Sequence, residues 1–144
     1  MIGGPAIGND DLFGRSVTSL GDLDGDGVTD LAVGAIRADT GQIGRGALHL
    51  LMLQPDGNVK NASTIGNDTN GGPTLDNQTF FGGSVALMGD IDGDGVSDLA
   101  VGAPYDDTGG THRGAVYVLF LKTLEATPSV TLPDGGGDYL IFAS

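Results

Sequence analysis

The chain has 144 residues, of which 27 are glycine. Its formal net charge is −13, because it contains 19 acidic residues and only 6 lysines and arginines. This charge excludes binding to a nucleic-acid backbone or to an anionic membrane surface, and the lack of cysteine excludes a disulfide framework. No apolar run approaches the roughly 18 residues of a membrane span. Because Gly and Asp are abundant while Glu, Gln and Lys are scarce, long helices are disfavoured and an all-β fold is expected.

The opening of the chain, Met1–Pro5, has neither a charged start nor an apolar stretch, so it predicts no signal peptide. Ile7–Asp10 resembles Ile65–Asp68, which closes a later unit. Residues 1–12 are therefore interpreted as the tail of a strand and loop that precede the first complete unit.

The chain repeats itself. A shift of 68 residues places Phe13–Leu53 on Phe81–Leu121 without a gap, and about 25 of the 41 positions are identical. Such similarity indicates two copies of one structural unit. The organisation predicted from it is a first blade at 13–66, an inter-blade loop at 67–80, a second blade at 81–132 and a C-terminal remainder at 133–144.

Each copy contains a set of short strand patterns separated by Asp- and Gly-rich turns. The first copy predicts Ser16–Leu20, Asp30–Ala35, Gly46–Leu53 and Val59–Ile65. The second predicts Ser84–Met88, Asp98–Ala103, Gly114–Leu121 and a weaker fourth strand, Ser129–Leu132. Four antiparallel strands per repeat are typical of a β-propeller blade, so the fold class is all-β with two four-stranded blades.

The third strands are nearly continuous apolar runs, Leu48–Leu53 and Val116–Leu121. A sheet that is wetted on one face alternates apolar and polar residues, whereas a continuous run indicates burial of both faces. Two blades alone would each leave one broad apolar face in water. We therefore expect the blades to complete a propeller, either by self-association into a closed ring or with neighbouring blades of a parent chain.

Two nine-residue loops, Asp22–Asp30 and Asp90–Asp98, carry aspartates at positions 1, 3, 5 and 9. Such carboxylates repel one another unless a cation neutralises them, and hard oxygen ligands favour calcium. Glycine at position 6 allows the sharp turn, and the carbonyl of position 7 can add a ligand. We expect two Ca²⁺ ions per chain, held by Asp22, Asp24, Asp26, Val28 and Asp30, and by Asp90, Asp92, Asp94, Val96 and Asp98.

An unmetallated Asp-Gly turn and an EF-hand are the competing interpretations of these loops. The first is disfavoured because both copies keep the same acids. The second needs a twelve-residue loop with a final Glu between helices, whereas position 12 is Val33 or Val101 and a strand begins there. A calcium sensor of the calmodulin type is therefore disfavoured.

The pattern Phe-Gly, then Asp-x-Asp-x-Asp-Gly-x-x-Asp, then Gly-Ala-Pro resembles the FG-GAP repeat of integrin α-chain β-propellers. It is carried by Phe13-Gly14 with Gly34-Ala35, and by Phe81-Gly82 with Gly102–Pro104. The resemblance implies a blade whose first hairpin holds Ca²⁺ through the ten residues named above. Ile36 departs from the pattern, which has proline there, but the metal loop is unaffected.

The resemblance implies a non-enzymatic, extracellular or cell-surface module with a structural or adhesion role and an extracellular protein ligand. The alternative is the propeller portion of a secreted calcium-dependent enzyme, of the phospholipase or polysaccharide lyase type. No nucleophile–base pair or acid pair recurs in the two copies, which disfavours the enzyme. Neither nucleic-acid binding nor membrane insertion is expected.

Overall fold

A computed structural model describes residues 3–39, 43–122 and 139–143, the last stretch by its backbone alone. Two antiparallel sheets of four strands each follow one another in the chain, in the orders β1-β2-β3-β4 and β5-β6-β7-β8. The strands are β1 Phe13–Gly21, β2 Asp30–Ala35, β3 Ala47–Leu53, β4 Val59–Gly66, β5 Ser84–Gly89, β6 Asp98–Ala103, β7 Ala115–Leu119 and β8 Tyr139–Ala143. The predicted all-β class with two four-stranded units is confirmed.

Helices are absent from the described part of the chain. Accordingly, those residues contain no helix long and apolar enough to cross a membrane.

The fourth strand of the second sheet differs from the sequence-based prediction. The predicted segment, Ser129–Leu132, lies outside the described residues. The strand that pairs with β7 is β8, with Ala115 opposite Ala143 and Leu119 opposite Tyr139. β8 falls within the predicted C-terminal remainder, 133–144, although Tyr139–Ala143 is apolar throughout.

The main core lies between the two sheets. Ala32, Leu48 and Leu50 on one face of the first sheet join Val101 and Tyr117 of the second sheet in one buried cluster. Register explains the shared face, because Ala32 pairs with Leu50 in the first sheet and Val101 with Tyr117 in the second. The two sheets therefore stack face to face as adjacent blades do.

Glycine is required where the two blades approach most closely. A Cβ atom on Gly34 would lie 2.1 Å from the carbonyl oxygen of Gly82. The same carbonyl accepts a hydrogen bond of 2.8 Å from the Ser16 hydroxyl. The inter-blade contact is thus made by backbone as well as by apolar side chains.

Equivalent residues of the two copies differ in their burial. Every residue of β3 is at least partly buried and Leu48 is fully buried, as its apolar run predicts, but Val116 of β7 is exposed. Similarly, Phe81 is fully buried in the inter-blade core, whereas its counterpart Phe13 is only partly covered and packs against His49. Of the two repeat phenylalanines, only Phe81 lies in the core between the described blades.

Candidate metal centres

Each aspartate loop connects the first two strands of its sheet. The register of β1 with β2 and of β5 with β6 shifts just before the loop, so the two loops leave their hairpins in the same way. Gly27 and Gly95, at position 6, have φ of +85° and +91°. Residues with a side chain rarely adopt this conformation, which explains glycine at this position.

In each loop, backbone N–H groups donate hydrogen bonds to the side-chain carboxylate of the aspartate at position 1. Asp22 accepts hydrogen bonds from the backbone N–H groups of Asp26 and Gly27, at 2.9 and 2.8 Å. Asp90 accepts them from Gly95 and Asp94 at the equivalent positions, and also from Gly93. These donors, chiefly Gly95, lower the pKa of Asp90. The carboxylate therefore stays ionised and the loop stays closed around it.

Acidic side chains converge at both loop tips. Carboxylate oxygens of Asp22, Asp24 and Asp26 lie within 4.8 Å of one another, and so do those of Asp90, Asp92 and Asp98. Ca²⁺ binds oxygen at about 2.3–2.6 Å, so oxygens on opposite sides of one ion are about 5 Å apart. The spacing and the all-oxygen donor sets fit a calcium ion at each tip.

The position-9 aspartates hold the loops to the sheets. Both Asp30 and Asp98 are fully buried. Asp30 accepts hydrogen bonds from the N–H groups of Leu23 and Leu53, at 2.8 and 3.0 Å. Asp98 accepts them from Ile91 and Leu121, at 2.7 and 3.1 Å. Each carboxylate thereby joins the start of its loop to the chain at or just beyond the third strand.

The remaining predicted ligands lie beside these groups. Asp94 accepts a hydrogen bond from the N–H of Val96, as Asp26 does from that of Val28. The grouping of converging carboxylates includes Asp98 but not Asp94 in the second loop, and Asp26 but not Asp30 in the first. The two loops are therefore alike in sequence and differ in how their carboxylates are arranged.

Lys60, on β4, accounts for part of this difference. Its ammonium nitrogen lies 2.7 Å from a carboxylate oxygen of Asp24 and also contacts Asp26. The contact with Lys60 is the main reason why the pKa of Asp26 is lowered, and the same pairs raise the pKa of Lys60. The first loop therefore carries a built-in cation.

The second loop has a different electrostatic environment. Loss of hydration, with a further contribution from the negative charges of Asp94 and Asp98, raises the pKa of Asp92. The counterpart of Lys60 lies outside the described residues, because Ala62 pairs with Leu51 on β3 and Tyr139 pairs with its counterpart Leu119 on β7. The sequence alone does not indicate a role for Lys60, because Lys60 lies 34 residues from Asp26 and no local motif connects them.

Comparison with known protein families finds one family that matches both copies of the repeat. The family described as "FG-GAP repeat" matches residues 13–51 and 81–119, which contain both aspartate loops and the strands around them. The chain belongs to the FG-GAP repeat family. The two matched FG-GAP segments end within or at the third strand of each sheet, so β4 and β8 lie outside them.

Relatives of this FG-GAP chain include three integrin alpha chains. It is 36% identical over 122 residues to "Integrin alpha-5" of Xenopus laevis, a match that covers 85% of this chain and 11% of the relative. It is 35% identical over 132 residues to "Integrin alpha-11" of Homo sapiens, covering 87% and 10%. For "Integrin alpha-PS2" of Drosophila melanogaster the identity is 34% over 133 residues, covering 81% and 8%. The chain thus spans about a tenth of the length of these relatives.

Proposed function

We propose that this chain is a calcium-binding β-propeller module without enzymatic activity. The convergence of three carboxylates at each of two equivalent hairpin tips carries the proposal. Without a counterion, such clusters of like charge destabilise the fold. A divalent cation removes the repulsion and supplies a point to which the loop oxygens attach.

The proposed ligands are the side chains at positions 1, 3, 5 and 9 of each loop and the carbonyl at position 7. They are Asp22, Asp24, Asp26, Val28 and Asp30 for one ion, and Asp90, Asp92, Asp94, Val96 and Asp98 for the other. Since Asp30 and Asp98 also hold the backbone near the third strand, an ion at the tip would stiffen the whole hairpin. Its role is structural, and it activates no substrate.

We assign the module a structural or adhesion role at the cell surface or outside the cell, with a protein ligand. Support comes from the integrin alpha chains to which it is similar. This chain covers about a tenth of the length of those relatives. The exposed apolar positions of the second sheet, such as Val116, are suited to stacking on a further blade, supplied by a parent chain or by another copy.

Calcium-dependent stability tests the proposal. Ca²⁺ that binds only the folded loops raises the melting temperature by mass action, and Asp26→Ala combined with Asp94→Ala should abolish that increase. A control that removes two exposed acids outside the loops, Asp56→Ala with Asp76→Ala, should keep it. Titration calorimetry should give two sites in the wild type. A full calcium response in the loop variant would refute the ligand assignment.

A further inference from the structure

The contact between the two blades has a second component beside the apolar core. The segment Asn77–Gly82, here called the insert, runs along the loop Ile43–Gly46, here called the acceptor loop. Backbone N–H groups of the insert donate to acceptor-loop carbonyls at 3.0–3.2 Å, and Gly46 forms a parallel β-bridge with Phe81. The Arg45 guanidinium donates to the Asn77 side chain at 3.2 Å.

The chain carries a second insert, Asn9–Gly14, at the equivalent positions of the first copy. Its backbone has the same conformation as the first insert, Asn77–Gly82, which contacts the acceptor loop. Asp10, Leu12 and Gly14 have φ of +64°, +53° and +90°, and their counterparts Gln78, Phe80 and Gly82 have +61°, +55° and +90°. Left-handed backbone is uncommon for residues with a side chain, so this repeated pattern is not a generic loop geometry. The second insert therefore has the backbone conformation of the insert that contacts the acceptor loop.

A second acceptor loop, Thr111–Gly114, also has the backbone conformation of its counterpart in the first copy. His112 and Gly114 have φ of +50° and +75°, close to the +66° and +87° of Gly44 and Gly46. The backbone N–H of His112 donates to the Asp107 side chain as that of Gly44 donates to Asp39. The polar pair is also present, because Arg113 and Asn9 occupy the positions of Arg45 and Asn77.

An open cleft of about 640 Å³ lies beside the second acceptor loop. Its wall includes Gly102, Gly114 and Val116. Their counterparts in the first copy are Gly34, Gly46 and Leu48, which lie against Phe81 and Gly82 of the first insert. Among the described residues, burial differs between the two contacts. Leu48 and Phe81 are 0% exposed in the occupied contact, whereas their counterparts Val116 and Phe13 are 42% and 36% exposed.

We infer that the second insert of one copy of this chain docks into the cleft of another copy. The step repeats the internal blade contact between molecules, with Phe13 buried against Val116, Arg113 donating to Asn9, and the Ser84 hydroxyl donating to the Gly14 carbonyl. The inference rests on the proposed propeller module and names the partner of its open face. The contact is head-to-tail, so each copy has one insert to give and one cleft to fill.

Complementation between two blocked variants tests this inference. Phe13→Asp places a charge on the insert and leaves the cleft intact. Gly102→Ala blocks the cleft, because a Cβ on its counterpart Gly34 would lie 2.1 Å from the insert carbonyl, and leaves the insert intact. By native mass spectrometry in calcium, we expect the wild type to exceed one chain and each variant to be monomeric. An equimolar mixture should give a dimer with one chain of each kind and no larger species.

Val116→Asp is a second cleft variant, at an exposed position, and it should behave as Gly102→Ala does. A monomeric wild type, association of Phe13→Asp alone, or a mixture that stays monomeric would each overturn the inference. Calcium binding of the same samples by calorimetry separates the two proposals. Two bound ions in a protein that does not associate would refute docking and leave the calcium module in place.

Discussion

Lys60 and Asp24 form an ion pair across the first aspartate loop, with the ammonium nitrogen 2.7 Å from the carboxylate oxygen. On the proposed ligand assignment a calcium ion at this tip would use the same carboxylate, so Lys60 would have to release Asp24 when the ion binds. We expect Lys60→Gln to strengthen calcium binding at the first loop roughly two- to fivefold, since exposed ion pairs contribute little. Site-resolved NMR titration of the loop amides measures the effect.

The control for Lys60→Gln is Arg37→Gln, which removes the same charge from an exposed side chain that lines the open cleft and, within the described part of the chain, forms no hydrogen bond or ion pair with either aspartate loop. The affinity of the second loop should stay the same in both variants. Equal strengthening of both loops by either variant would indicate a general effect of net charge and would contradict the specific role of Lys60.

Asp98 is expected to stabilise the fold even without calcium. Its two carboxylate oxygens accept backbone hydrogen bonds from Ile91 and Leu121 at a fully buried position. Asparagine can accept only one of them, so Asp98→Asn should lower the free energy of unfolding by about 2–3 kcal/mol. Urea denaturation in excess chelator measures this loss.

Asp94→Asn is the matched variant, because Asp94 belongs to the same loop and is exposed. It should leave unfolding in chelator nearly unchanged and reduce only the stabilisation that calcium adds. If Asp94→Asn and Asp98→Asn behaved alike in chelator, the division between a structural and a purely ligating aspartate would be wrong.

Gly34→Ala should weaken the contact between the blades. Its Cβ would meet the backbone carbonyl of Gly82 at 2.1 Å, and overpacking of this kind costs roughly 1–3 kcal/mol. Gly102→Ala is the matched control, since its nearest atom is the hydroxyl of Ser84 at 2.4 Å, which can rotate away. Thermal unfolding of Phe13→Asp backgrounds, in which docking is blocked, should show the larger loss for Gly34→Ala.

His49 predicts a dependence of stability on pH. Burial lowers its pKa below the ordinary value of 6.5, so the unfolded state binds the proton more tightly. Stability is then complete above pH 6.5 and falls as the pH decreases from 6.5 towards the folded-state pKa. His49→Phe keeps a ring beside Phe13 and removes the titration. Its chelator-treated unfolding curves should vary less with pH over this window, and an identical slope would exclude His49 as the cause.

Local patterns in the sequence predicted seven of the eight described strands and the positions of the two aspartate loops. β2 and β6 have the bounds that the Asp-to-Ala runs predict, because a tight turn and a short apolar run fix a hairpin locally. The repeat determined that there are two equivalent units. The metal ligands remain a prediction, because they are inferred from the spacing of the aspartates in each loop.

Tertiary structure decided what lies far apart in the chain. The pairing of Lys60 with Asp24, and the bonds from Asp30 and Asp98 to the backbone at Leu53 and Leu121, depend on which strands become neighbours. The different burial of the two repeat phenylalanines also depends on tertiary structure. Phe13 and Phe81 occupy the same repeat position, yet among the described residues only Phe81 is buried against the sheet of another blade, because burial depends on the surface that a neighbouring sheet provides.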